Sequence, residues 1–212
     1  MVKRTREIIW NKYHRYAFLY DLDDVIFFGT KQTLRKRVMA LAKVEEGKRV
    51  LDLMIGTAES SILAGKAGAD VVGADFSKSM LKIARRKLNR HNVETVKLVR
   101  AHAEYLPFPD NTFDAVFCTF GLDAVYDPEP VVFEMQRVAK EWAPVAAAYK
   151  CFPTNEIFVL PDYLMKLYFD ICWRCRNVEL NHIFRKAGLK DIREEPHYFD
   201  MSKVIVGTKP QS

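Results

Sequence analysis

From residue 48 onward the chain alternates between short apolar runs and helical stretches, and this alternation limits the fold more than any other feature. The runs fall at 48–53, 70–75, 95–100, 113–119 and 144–149, with helices expected between them at about 57–67, 77–91 and 129–140. Strand–helix–strand order of this kind puts parallel strands in one sheet with helices on both faces. Ser77 is placed to cap the second of these helices, and Pro128 and Pro130 mark the start of the third. Asn181 to Leu189 reads as a last helix ending on Gly188. Two further strands follow at 189–196 and 201–208, and so short a link forces them to pair antiparallel. Two helices, at 3–19 and 30–43, precede the sheet, separated by Asp21, Asp23 and Asp24 and with Gly29-Thr30 opening the second. The prediction is a doubly wound α/β sheet of seven strands, mostly parallel, ending in an antiparallel hairpin.

In such a sheet a ligand sits outside the C-terminal ends of the strands. Val50 to Ala58 is an apolar strand that runs into an acid, Asp52, then a tight turn with one glycine, Gly56, then a helix. The turn amides and the helix N-terminus can hold polar groups of a nucleotide-like cofactor. Asp75 closes the second strand 19 residues after Gly56. That is near the offset of about 20 residues at which an acid accepts from ribose hydroxyls. Two hydroxyl donors on one carboxylate make charge-assisted bonds, stronger than neutral ones. An acid at a strand end also serves as a helix cap, and taken alone Asp75 fits either role.

The Val50–Ala58 segment resembles the first motif of class I S-adenosylmethionine (SAM) methyltransferases, commonly V-L-D-L-G-C-G-T-G, with Met54 and Ala58 replacing two glycines. Residues 101–116 look like the family's D-A-E-x-L-P-F-P-D-N-S-F-D-A-V segment. Residues 13–21 look like the Y-D-x-x-A-x-x-Y-D helix of the branch that holds quinone C-methyltransferases and phospholipid N-methyltransferases. The resemblance covers nearly the whole chain. It implies a Rossmann-like fold, SAM as cofactor and S-adenosylhomocysteine as product. The cofactor contacts it implies are Asp52, Met54, Gly56 and Thr57 in the first turn, then Asp75, Phe76 and Met80 after the second strand. His102, Ala103 and Glu104 follow the third strand, and Cys118 and Thr119 end the fourth; Tyr13 and Tyr20 are lid residues.

His102 stands where the family usually has an acid that accepts from the adenine amino group. It must accept through an unprotonated ring nitrogen, or leave adenine to the amide of Ala103. Phe120 is expected near the sulfonium, where an aromatic face is favourable by about 1 kcal/mol. Met54 is expected to keep a negative φ, its side chain turned from the cofactor. Trp142 and Ala143 replace two glycines before the fifth strand.

The resemblance implies methyl transfer to a small hydrophobic or lipid-like acceptor, a quinone precursor or a phospholipid amine. The large apolar and aromatic residues of 155–187 suit such an acceptor. One methyltransferase domain is expected over 1–212: an N-terminal helical cap at 1–45, a SAM-binding core at 46–150, an acceptor-side helical cap at 151–187 and the hairpin at 188–212. Candidates for a general base are His14, Tyr20, His102 and His182, with nothing choosing among them. Two other readings are a methyltransferase-like binding protein whose glycine-poor turn impairs the SAM site, and an RNA-modifying methyltransferase. Against RNA, the Asn/Asp-Pro-Pro-Tyr signature is replaced by Cys118-Thr119-Phe120-Gly121, and no RNA-binding module is recognisable. A nicotinamide dehydrogenase would need G-x-G-x-x-G at the first turn.

Charge divides the chain unevenly. Residues 1–50 carry 12 Lys/Arg against 6 Asp/Glu and the rest carry 21 of each, so the net +6 belongs to the N-terminal region. Its aromatic residues Trp10, Tyr13, Tyr16 and Phe18 lie among the basic ones. Such a segment suits an anionic membrane surface or a cover over the substrate, as well as an ordinary solvated helix face. No apolar run approaches the roughly 20 residues of a membrane span, and no signal-peptide core follows Met1. A cytoplasmic protein is expected, with peripheral membrane contact through residues 1–45 the alternative. Cys172-Trp173-Arg174-Cys175 has no second cysteine pair to complete a zinc site, so core thiols and no metal are expected for Cys118, Cys151, Cys172 and Cys175.

Overall fold

The computed structural model describes residues 30–151, 178–197 and 202–211. The expected helix at 3–19, Tyr13, His14 and Tyr20, and Cys172 and Cys175 lie outside the described residues. So does most of the expected acceptor-side cap.

The described chain runs α1 (Thr30–Leu41), β1 (Arg49–Leu53), α2 (Glu59–Lys66), β2 (Asp70–Asp75), α3 (Lys78–Arg90) and β3 (Val96–Arg100). It continues through β4 (Ala115–Thr119), α4 (Glu129–Val138), β5 (Pro144–Lys150), α5 (Leu180–Lys186), β6 (Lys190–His197) and β7 (Ser202–Thr208). Local chemistry sets several boundaries. The Ser77 hydroxyl accepts from the Met80 N–H at 3.3 Å and so caps α3. Pro128 precedes α4 and Pro130 lies in its first turn, where a missing N–H costs nothing. α5 ends in a Schellman motif: Gly188 has φ 82 and donates to Arg185, while Leu189 donates to Phe184.

The strand order is β3-β2-β1-β4-β5-β7-β6. β3, β2, β1, β4 and β5 pair in parallel, and β7 pairs antiparallel with both β5 and β6. The terminal hairpin therefore enters the sheet with its second strand inside. Composition explains this. Val204 to Gly207 are buried and apolar, as an inner strand requires, whereas β6 carries Arg193, Glu194 and Glu195 and contains Pro196, which suits an edge.

Side chains alternate across the sheet with the period of two that strands impose. Leu51, Leu53, Val116 and Cys118 face α4 and α5 through Val131, Met135, Leu180 and Phe184. Val50, Val71, Ala115 and Phe117 face α1 through Leu34 and Val38. Ile55, Ile62, Ala84 and Leu88 join α2 to α3. Among the described residues no helix is long and apolar enough to cross a membrane.

The long family-like segment after β3 is tied down along its length. The Arg137 guanidinium donates to the carbonyls of Leu106 and Phe108 and to the Asp110 carboxylate. Glu134 accepts from the Leu106 N–H at 2.6 Å. The Lys209 ammonium donates to Asn111 and to the carbonyls of Arg137 and Ala139 at the end of α4. Much of that motif thus serves to strap a loop onto α4.

The turn before β5 explains its unusual tryptophan only in part. Trp142 has φ 64, the left-handed conformation of the glycine it replaces, and its N–H donates to the Lys209 carbonyl. Its side chain is 65% exposed, so little packing offsets a backbone cost of about 1–2 kcal/mol. Trp142→Gly is therefore expected to stabilise the protein by about 0.5–1 kcal/mol after glycine's greater unfolded-state entropy is subtracted. Thermal unfolding should show a rise of about 2 °C, and a fall would show that the indole contributes packing worth more than the strain.

Candidate functional site

β1 and β4 are neighbours in the sheet, but the helices that follow them, α2 and α4, lie on opposite faces. A crevice opens where neighbouring connections diverge in this way, and it is the usual ligand site of doubly wound sheets. The strand ends bordering it carry most of the residues singled out from the sequence. The turn 54–58 follows β1, Asp75 and Phe76 end β2, His102 and Ala103 follow β3, and Cys118 and Thr119 end β4.

The first turn departs from expectation. Met54, Gly56 and Ala58 have φ of 56, 56 and 71, so all three family glycine positions are left-handed although one glycine remains. The negative φ expected at Met54 is not found. The backbone path leaves no choice. Ile55 must donate to the Ala74 carbonyl (3.1 Å), Gly56 to the Asp75 carboxylate (3.0 Å) and Ala58 to the Ile55 carbonyl (3.0 Å). Met54 and Ala58 adopt the conformation that these three bonds demand, at the cost a Cβ incurs there.

Two carboxylates border this turn. Asp52 is 1% exposed; its Oδ2 accepts from the Ser61 hydroxyl at 2.7 Å, and its Oδ1 has no hydrogen-bond partner. Burial lifts its pKa to about 7, opposed by the Ser61 bond and by the charge of Arg35. Asp75 is half-buried, with Oδ2 on the Gly56 N–H and Oδ1 on the Ser77 N–H at 2.8 Å. Burial raises its pKa as well, against the backbone donors of Ser77, Gly56 and Phe76. Both expected roles of Asp75 are thus compatible: it caps the start of α3 and presents an acid beside the turn.

Around them, the hydroxyls of Ser60 and Thr119 lie 2.6 Å apart and join α2 to the end of β4. The Thr57 hydroxyl is buried and accepts from Lys87 at 3.3 Å, which turns it toward α3. The Phe76 ring stacks on His102, with centroids 3.8 Å apart and a tilt of 36°, and the Arg100 guanidinium lies 5.0 Å from its centroid. Met80 is buried in the first turn of α3, and Ala103 and Glu104 are half-buried. The Cys118 thiol is buried, and its pKa is raised first by that burial and then by the nearby Asp52 and Asp123 charges.

Two further residues singled out from the sequence have these surroundings. Phe120 is 5% exposed with φ 60, and the cations near its ring are Lys31 and Arg35 of α1, at 6.0 and 5.9 Å. His182 is exposed on α5, which packs on β6, β7 and α4, toward the far edge of the sheet. Sequence reasoning passed over Ser60, Ser61, Thr119's partner role and Arg35. The two serines one turn beyond Gly56 were a readable signal for a polar crevice floor. Arg35 is among the basic residues of the N-terminal region and is buried.

Comparison with known proteins agrees with this geometry. The ubiE/COQ5 methyltransferase family matches residues 2–168. A demethylmenaquinone methyltransferase of Bacillus mycoides (strain KBAB4) is 32% identical, with all of both chains covered. One of Bacillus anthracis (strain A0248) matches equally. Phosphoethanolamine N-methyltransferase 2 of Haemonchus contortus, solved with SAM, shares the fold with a TM-score of 0.76 at 16% identity, over 97% of this chain and 60% of its own. The [4+2]-cyclase SpnF does so with a TM-score of 0.72 at 17% identity, over 85% and 81%. The full-length relatives and the family match over most of the chain agree: this chain belongs to the ubiE/COQ5 methyltransferase family and is a SAM-dependent methyltransferase.

Proposed function

We propose that the chain methylates a ring carbon of a demethylated quinol, the acceptor class in the names of its full-length relatives. The observation that carries this is their 32% identity over the whole of both chains. Those names favour a quinone over a phospholipid amine, the other acceptor the sequence suggested.

The residues fit the cofactor in a specific respect. A buried carboxylate oxygen without a donor, Asp52 Oδ1, suits the ammonium of the methionine part of SAM. Asp75 would accept from the ribose hydroxyls through lone pairs its two amide donors leave over. Phe76, with His102 and the Ala103 amide, would take the adenine, and Cys118 and Thr119 would border the methionyl end. When bound, SAM supplies a methyl group activated by a positive sulfur. The protein's part is to hold the acceptor carbon roughly 3 Å from that methyl and keep water out. The acceptor must also lose a proton. For that role we propose His14 or Tyr20, with His102 given to the adenine end beside Phe76 and His182 toward the far edge of the sheet.

The test is incubation with SAM and a short-chain demethylmenaquinol under reducing conditions, followed by mass spectrometry. Methylated quinone and S-adenosylhomocysteine should form in equal amounts. SAM binding without methylated quinone would overturn the acceptor, and a His14→Asn, Tyr20→Phe double variant with full turnover would overturn the base.

A further inference from the structure

Met54 is the least expected residue in the turn, and its side chain has a definite place. It is half-buried against the core cluster that includes Leu53 of its own strand and Cys118 and Leu122 of the neighbouring β4 end. Its counterpart is Gly121, two residues past β4. A Cβ on Gly121 would stand 2.8 Å from Cys118 Sγ, 2.9 Å from Met54 Cε and 3.0 Å from Met54 Cβ. Real Cβ atoms do not approach other atoms so closely. Gly121 does not have a positive φ, so its backbone conformation does not call for glycine. What calls for glycine is the space that the Met54 and Cys118 side chains occupy. The two positions form one unit: a thioether from the β1 turn fills a notch at the β4 turn, across the mouth of the crevice between the two strands.

Such a unit costs stability at φ 56. A glycine at 54 would remove that cost and leave the notch beside Gly121 and Cys118 unfilled. We propose that Met54 is a specificity-determining residue that narrows the methionyl end of the crevice, so that the site accepts a sulfonium bearing methyl and rejects one bearing a larger alkyl group. This rests on the SAM reading of the site. The chemistry fits: a thioether is apolar, adaptable and soft, and it can lie against a small alkyl group without presenting a charge to it. A tight apolar slot rejects one extra methylene by about tenfold or more.

The test compares binding of SAM and S-adenosylethionine by isothermal titration, with no acceptor present. Wild type should prefer SAM by at least about tenfold, Met54→Leu should keep that preference because it keeps the volume, and Met54→Ala should bring the ratio near one. If wild type binds SAM and the ratio is the same in Met54→Ala, the specificity role is overturned. If wild type binds neither sulfonium, the SAM reading of the crevice fails and the inference falls with it. A second measurement needs no cofactor. Gly121→Ala should lower the melting temperature of wild type more than that of Met54→Ala, since the latter has vacated part of the space. Equal losses in the two backgrounds would overturn the pairing on which the proposal stands.

Discussion

Asp52→Asn is expected to flatten the pH dependence of stability and to make the protein more stable than wild type above neutrality. The native Asp52 carboxyl titrates near 7 because it is buried, whereas in the unfolded chain it titrates near 3.8. Between those values the folded state holds the proton more tightly, so unfolding releases it and stability falls as pH rises. The loss begins above the unfolded value and is complete once pH passes the folded one. A difference of about 3 units corresponds to a ceiling of about 4 kcal/mol. An asparagine keeps an oxygen for the Ser61 hydroxyl and has no charge to bury. Urea unfolding at pH 5 and pH 8 should therefore show wild type losing about 3 kcal/mol that the variant keeps. Equal losses in both would show that the carboxylate is already ionised and neutralised in the fold. The proposed ammonium partner has the opposite effect on the same group. It favours the charged form, so SAM binding near pH 6 should release a proton that Asp52→Asn does not release.

Asp75→Ala is expected to raise the dissociation constant for SAM about 100-fold. The proposed pair of ribose hydrogen bonds is charge-assisted, and losing both costs about 3 kcal/mol. The same change strands the Gly56 and Ser77 amides, so stability should fall by about 2 kcal/mol. Ser77→Ala separates the two effects. It removes the cap on Met80, should cost about 1 kcal/mol of stability and should leave SAM affinity within about threefold. A Ser77→Ala loss of affinity as large as that of Asp75→Ala would mean that the acid acts only through the shape of the α3 start.

The sheet was readable because its signals are local. Apolar runs such as Asp70–Asp75 end at turns, Ser77 caps a helix and Gly188 ends another, and each of these is fixed within a few residues. The interior place of β7 was also written in its composition, Val204 to Val206 against the charged β6, although the sequence reading stopped at an antiparallel pair. The first turn was misread for a physical reason. Glycine's near-monopoly on left-handed backbone made a negative φ the natural expectation for Met54. Two of the three hydrogen bonds that overrule it go to Ala74 and Asp75, on another strand. Gly121 lies far along the chain from Met54, one of the two side chains that require it, so no local pattern announces that pair. The strand-end position of Phe120 showed only that it borders the turn after β4. The two α1 cations near its ring come from a helix that was read only as basic.

The position of β7 also governs the order in which the protein can be assembled. β5 and β6 are made first, yet neither pairs with the other, and the strand that joins them arrives after both. Until residues 202–208 leave the ribosome, β5 presents a bare edge of Ala146, Ala147 and Ala148 to the cell, and β6 has α5 against it but no strand to pair with. An unpaired apolar edge is a template for pairing with another chain. A nascent chain stalled before residue 202, or one clipped between β6 and β7, would therefore hold two open edges at once. Its fate would be decided by chaperones and proteases, however sound its cofactor crevice.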